Sequence, residues 1–327
     1  MSKKWVEPSV SDSVFDAIEC YKYKTSLTVT KLLNFAKLPS SKYYEWKKRY
    51  GEANRHNGKI PRNHQILEVE RKAIIEYANS NKGVEGYRRM CYRMLDEDVV
   101  AVSPSTVYRV LKGAGLLSKV KGKPSSKGDG FEQPEKVHEH WHMDISYINV
   151  MGIFYFLISI IDGYSRYIIN HDLRASMETY DVEIVLQEAL EKYPEAKPRL
   201  ISDNGSQFVS KEFKDFIEYN ELSHVRTSVN YPESNGKKER FYQTLKNESV
   251  RKSSFLSAED ARKQISDYIE YYNKERLHSA INYLTPEDML MGRAEERLSE
   301  RMKKLKLARE RRKEFHKNKK SSLFQYA

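Results

Sequence analysis

Cysteine is almost absent: Cys20 and Cys91 are the only two in 327 residues, and no C-x-x-C pair exists. That excludes a disulfide framework and a cysteine-based zinc site, and it fits a reducing compartment. Long apolar runs are missing too. None approaches the roughly 20 residues that a membrane span requires, so no membrane association is expected. The opening Met1-Ser2-Lys3-Lys4-Trp5 lacks the apolar segment of a secretory signal. These absences together predict a soluble, cytoplasmic protein.

Positive charge is what the chain has in excess. The formal net charge is +11, with 31% charged residues. A basic balance favours a polyanionic partner through phosphate neutralisation and counterion release, although it also serves plain solubility. Tyrosine is frequent, at 23 residues, and supplies both core and stacking surface.

The length allows two or three domains. Residues 1–50 read as an N-terminal helix-turn-helix-like unit. Val14, Ile18 and Tyr21 recur at helical spacing, and Lys37-Leu38-Pro39-Ser40 separates two short helices. The second of these would offer Lys47 and Lys48 to DNA, unless it is simply a helical hairpin. Residues 51–63 are polar and rich in breakers, a linker. Residues 64–118 form a second helix-turn-helix unit. Its last helix opens at Ser103-Pro104, a cap followed by proline at the first helical position, and stops at Gly113. Ser105, Thr106, Tyr108, Arg109 and Lys112 are the candidates to face a DNA groove, while Val107, Val110 and Leu111 pack inside. A helical adaptor that never touches DNA is the competing reading. Residues 119–136 are basic, Gly/Pro/Ser-rich and aperiodic, a flexible linker. Residues 137–292 alternate three strands, a helix, a fourth strand and further helices, which predicts an α/β mixed sheet with helices on its faces. Residues 293–327 are a Lys/Arg-rich tail, an exposed helix or a disordered arm that grips DNA or is merely solvated.

Three acids stand out in that α/β segment. Asp144 lies in Trp141-His142-Met143-Asp144-Ile145-Ser146, which alternates like a strand. Asp203 ends the apolar run before Asn204-Gly205. Glu239 follows Asn235-Gly236-Lys237-Lys238 on a predicted helix, with 35 residues between it and Asp203. Separated carboxylates converging on one cavity repel one another and are best explained by hard divalent cations. Two such ions about 4 Å apart support in-line phosphoryl displacement. Competing acids are Glu233, in the loop before that helix, Glu248, at a longer spacing, and Asp162, between a strand and a turn. His138, His140 and His142 alternate along the same strand. Alternate positions are about 7 Å apart, too far for three of them to close round one zinc ion.

These phrases, with Ile161-Asp162-Gly163-Tyr164-Ser165-Arg166 and Tyr283-Leu284-Thr285-Pro286-Glu287, resemble those of the bacterial insertion-sequence transposases with a retroviral-integrase-like D,D(35)E core, of the second-frame type. The resemblance runs from about Val14 to Gly292. It implies a ribonuclease-H-like catalytic core preceded by the two all-α units, two Mg²⁺ or Mn²⁺ ions held by Asp144, Asp203 and Glu239, and metal-dependent DNA cleavage and strand transfer. Lys246, Tyr242 and Gln243 would share the Glu239 face and meet DNA, with Asn204, Gly205 and Asn235 shaping the rim. Double-stranded DNA would be the partner, as element terminal repeats and as target. A homo-oligomer would hold two ends, in a bacterial, nucleoid-associated setting. No leucine zipper appears, and an upstream-frame product is a possible further partner. The alternatives are another ribonuclease-H-like nuclease and a DNA-binding regulator that keeps the fold without activity.

Overall fold

The computed structural model describes residues 6–52, 65–80, 86–117, 133–227 and 236–324. The expected linkers at 51–63 and 119–136 fall largely outside the described residues. The chain divides into two compact units, Met1–Gln65 with Arg311–Ala327, and Ile66–Glu310.

In the first unit α1 (Pro8–Thr25), α2 (Val29–Phe35) and α3 (Ser40–Lys48) enclose a small core of Ile18, Leu33 and Tyr43. The Tyr43 hydroxyl donates to the Glu19 carboxylate, tying α3 to α1. Tyr21, expected on the apolar stripe with Val14 and Ile18, is exposed instead. Lys47 and Lys48 are exposed at the end of α3, while Tyr43 and Trp46 of the same helix point inward.

The second unit opens with α4 (Glu68–Asn79), α5 (Tyr87–Asp96) and α6 (Pro104–Gly113). Ile74, Met90, Met94, Val107, Val110 and Leu111 form their common core. Ser103 occupies the N-cap position of α6, but its hydroxyl turns to those of Ser105 (2.9 Å) and Thr106 (3.0 Å) rather than capping a backbone amide. Ser105, Tyr108, Arg109 and Lys112 are exposed along one side of α6, and Thr106 is half-buried.

The sheet follows. β1 (His140–Val150), β2 (Ile153–Asp162) and β3 (Ile168–Arg174) form an antiparallel meander. α7 (Thr179–Lys192) then carries the chain to the other side of β1, where β4 (Arg199–Ser202) pairs in parallel. The short α8 (Ser206–Val209) and α9 (Lys211–Tyr219) lead to β5 (Ser223–Arg226), parallel to β4. The order β3-β2-β1-β4-β5 is that of a ribonuclease-H-like mixed sheet. α10 (Gly236–Glu248) and α11 (Ala258–Lys274) complete it.

Alternation along β1 divides the core in two. Trp141 and Met143 pack with Val182, Val185, Leu186 and Phe213 on the α7/α9 face. Ile148 and Val150 pack with Phe241, Leu245, Ile265 and Ile269 on the α10/α11 face. Asp144 has the parity of Ile148, so it stands on the face that α10 covers.

After α12 (Pro286–Leu290), residues 294 onward form α13 (Ala294–Phe324), so the tail is helical through most of its length. Its first half is no free arm. Arg301 is buried, meets Asp96 with two nitrogens at 2.8 and 2.6 Å, and donates to the carbonyls of Asn282 and Tyr283. Lys304 donates to the Leu95 carbonyl at 3.1 Å. These bonds hold α13 to the end of α5.

Candidate active site

The acid pair is a product of strand register. β1 and β4 run parallel with His142 opposite Ile201. Asp144 lies two residues beyond that pair on β1 and Asp203 two beyond it on the chain leaving β4, near enough that the Asp203 charge acts on the Asp144 carboxyl. Asp203 leaves the sheet where β4 ends, and its Oδ1 accepts from the Gly205 amide at 2.9 Å. The Asn204 side chain donates to the Thr227 carbonyl at 2.7 Å, so the Asp-Asn-Gly turn is pinned to the end of β5. Burial pushes the Asp144 carboxyl above its ordinary range, Lys238 opposes that, and the Asp203 charge adds to it.

α10 lies across this pair. Lys238 is buried, donates to the Met143 carbonyl at 3.1 Å and stands 3.6 Å from Asp144 Oδ1. One turn further, the Tyr242 hydroxyl donates to the Asp144 carbonyl at 2.8 Å and sits 2.7 Å from the Ser159 hydroxyl. Tyr242 is therefore corrected from a DNA-facing residue to a buried one: its hydroxyl is spent on β1 and β2. Gln243 is exposed and Lys246 half-buried. Glu239 is exposed on the first turn of α10. Asn235, expected at the rim, and Glu233, the rival acid, lie outside the described residues. Glu248, the other rival, is committed to Arg276, which meets it with two nitrogens at 2.8 Å each.

The structure thus brings Asp144 near Asp203, and Glu239 stands exposed on the first turn of α10. Among the described residues no group of three His, Cys, Asp or Glu side chains is gathered to hold a metal ion. The chemistry of the pair nevertheless fits one. Two carboxylates share a half-buried corner of the sheet, and the Asp203 charge raises the cost of charging Asp144, a repulsion that a hard divalent cation relieves.

The histidines do not form a site. His138 adopts a left-handed conformation (φ 60°) ahead of β1, and its Nδ1 accepts from Trp141 Nε1 at 3.2 Å. His142 is buried with neither ring nitrogen hydrogen-bonded; burial first, then the Lys237 and Lys238 charges, push it well below the usual histidine range. It packs against Gly163, where a Cβ would come within 3.0 Å of His142 Nε2. Asp162 is structural. One oxygen accepts from the His138 amide, and the other accepts from the Ser165 amide and hydroxyl.

Sequence reasoning missed Lys238 and the inward turn of Tyr242. A lysine inside Lys237-Lys238-Glu239-Arg240 reads as solvated, and nothing local signals otherwise.

Three protein-family models match the chain. An "Integrase core domain" family matches residues 134–232, a second family of the same description matches 220–286, and an "HTH-like domain" family matches 67–124. The Escherichia coli (strain K12) protein "Putative transposase InsK for insertion sequence element IS150" is 25% identical over 269 residues, covering 78% of this chain and 91% of that protein. A protein of insertion element IS136 from Agrobacterium fabrum (strain C58 / ATCC 33970) is 32% identical over 145 residues, covering 42% of this chain and 74% of that one. The HTLV-2 integrase catalytic core domain, solved in complex with magnesium, is 17% identical, covers 47% of this chain and 97% of that one, and superposes with a TM-score of 0.39. The chain belongs to the insertion-sequence transposases with an integrase-type catalytic core, enzymes of the polynucleotidyl transferase class. Among the described residues no helix is long and apolar enough to cross a membrane.

Proposed function

We propose that this chain cuts and joins DNA at the ends of its insertion element, with Asp144, Asp203 and Glu239 as the acids of the reaction. The observation that carries the reading is that Asp144 and Asp203 neighbour one another just beyond the paired stretch of parallel β1 and β4, with Glu239 on the first turn of the helix that packs on β1. The three carboxylates would hold two Mg²⁺ or Mn²⁺ ions, which supply a deprotonated nucleophile and charge neutralisation at the leaving oxygen. Asp144 offers its carboxylate from a rigid strand held from below by Tyr242. Asp203 presents the oxygen not engaged by Gly205. Glu239, on the exposed turn, completes the set once DNA is in place.

No side chain forms a covalent bond to DNA in this scheme. The same acids serve water in cleavage and a DNA 3′-hydroxyl in strand transfer. Lys246 and Gln243 lie on the α10 surface beyond Glu239 and would steady the neighbouring phosphates. Ser105, Thr106, Tyr108, Arg109 and Lys112 of α6 would read the element ends, and Lys47 and Lys48 of α3 would add phosphate contacts. Asn204 and Asn235 would shape the rim of the site. Joining two ends calls for a homo-oligomer, and an upstream-frame product is a candidate further partner. The work would be done at bacterial DNA in the cytoplasm.

The test is an element-end duplex offered with Mg²⁺ to wild type, Asp144→Asn and Asp203→Asn. Loss of cleavage with duplex binding retained supports the assignment. Equal loss of both overturns it.

A further inference from the structure

Lys238 is 1% exposed, on the side of α10 that faces β1. Its ammonium has two neighbours on that strand, the Met143 carbonyl at 3.1 Å and Asp144 Oδ1 at 3.6 Å. Four residues later Tyr242 donates to the next carbonyl, that of Asp144. Positions four apart share a helix face, so α10 grips two consecutive peptide groups with the Asp144 side chain beside them. Glu239, about 100° further round the helix, is exposed.

A buried ammonium is costly unless it is paired and hydrogen-bonded. Here the partner is a carboxylate that itself has an acidic neighbour, Asp203. A positive charge at this point relieves the repulsion between two carboxylates, which is also what a bound divalent ion does. The ammonium and an ion compete for the same Asp144 oxygen.

We propose that Lys238 is a positioning residue of the acid pair, a tethered counter-cation that holds Asp144 in place beside Asp203 before a divalent ion binds and gives up the Asp144 oxygen when the ion arrives. This rests on the reading of Asp144 and Asp203 as metal ligands. Its consequence is a site that keeps its geometry without metal, at the expense of metal affinity.

The test uses the full chain without DNA: wild type, Lys238→Met, Lys238→Gln and Asp144→Asn. Thermal unfolding is followed in chelator and in Mn²⁺, and Mn²⁺ affinity is measured by calorimetry. Both lysine variants are expected to melt below wild type in chelator and to recover with Mn²⁺, since an ion that binds only the folded state stabilises it. They are expected to bind Mn²⁺ about tenfold tighter, because the competing charge is gone. The glutamine variant keeps a donor for the Met143 carbonyl, so it separates loss of charge from loss of the hydrogen bond.

Equal destabilisation with and without Mn²⁺, at unchanged affinity, would overturn the proposal and leave Lys238 a structural residue. Failure of both lysine variants to fold in either condition would do the same. Loss of Mn²⁺ binding in Asp144→Asn beside unchanged lysine variants removes this proposal alone. Wild-type binding in Asp144→Asn removes the metal-ligand reading and the proposal with it.

Discussion

The Tyr242 hydroxyl donates to the backbone carbonyl of Asp144 at 2.8 Å, reaching from the middle of α10 to the strand beneath it. Burial first, then the Asp144 charge, hold this phenol far above its ordinary pKa, so it stays a neutral donor. The contact fixes the helix that carries Glu239 against the strand that carries Asp144. Tyr242→Phe removes the hydroxyl and leaves Ser159 without that partner. It is expected to cost about 1–3 kcal/mol in chemical denaturation and to slow strand transfer while duplex binding holds.

Arg301 should matter more than its place in a basic tail implies. It is 4% exposed and bonded to Asp96, Asn282 and Tyr283. Arg301→Met leaves Asp96 without its main cation. A loss of about 3–5 kcal/mol is expected, as for other buried pairs broken on one side, and limited proteolysis should detect release of α13 from α5.

Glu248 gives a pH signature. Burial raises its carboxyl, but the hydrogen bonds and charge of Arg276, with Arg89 and Tyr268, win and hold it below the ordinary 4.5. A carboxylate depressed in the folded state contributes stability above its unfolded pKa, and loses it as pH falls through the folded value. Glu248→Gln should therefore be less stable than wild type at pH 7, by about 1.5–3 kcal/mol. The gap should close as pH falls below 4.5. A gap that persists at acid pH would mean the carboxylate is not the source.

Arg109 tests the DNA-reading role proposed for α6. It is exposed, with Nη2 3.3 Å from the Thr106 hydroxyl. If it neutralises one phosphate, Arg109→Ala should lower the slope of log affinity against log salt by about 1. An unchanged slope with weaker sequence preference would mean that it meets a base edge instead.

What was legible in the sequence is what local pattern encodes. The alternation around Asp144, the apolar run before Asp203, and the Pro104-to-Gly113 span of α6 each follow from periodicity and end signals. Their placement in the fold follows from sheet order. Illegible were the residues whose burial depends on a distant partner. Lys238 and Arg301 sit in runs of charge that look solvated, and distant partners draw them inside: Met143 and Asp144 in one case, Asp96 with the Asn282 and Tyr283 carbonyls in the other. Tyr242 shares the Glu239 side of an ideal helix by spacing, but α10 is rolled so that 238, 241, 242 and 245 face the sheet. That roll is set by packing against β1 and cannot be read from α10 alone.

The most direct measurement is Mg²⁺-dependent strand transfer on a duplex carrying the element's end, comparing wild type, Glu239→Gln and Glu248→Gln at a temperature where all three are folded. Wild type and Glu248→Gln should join DNA. Glu239→Gln should bind the duplex as wild type does but fall in activity by more than the ten- to hundredfold typical of an outer-shell change. Activity surviving in Glu239→Gln would contradict the assignment of the third acid.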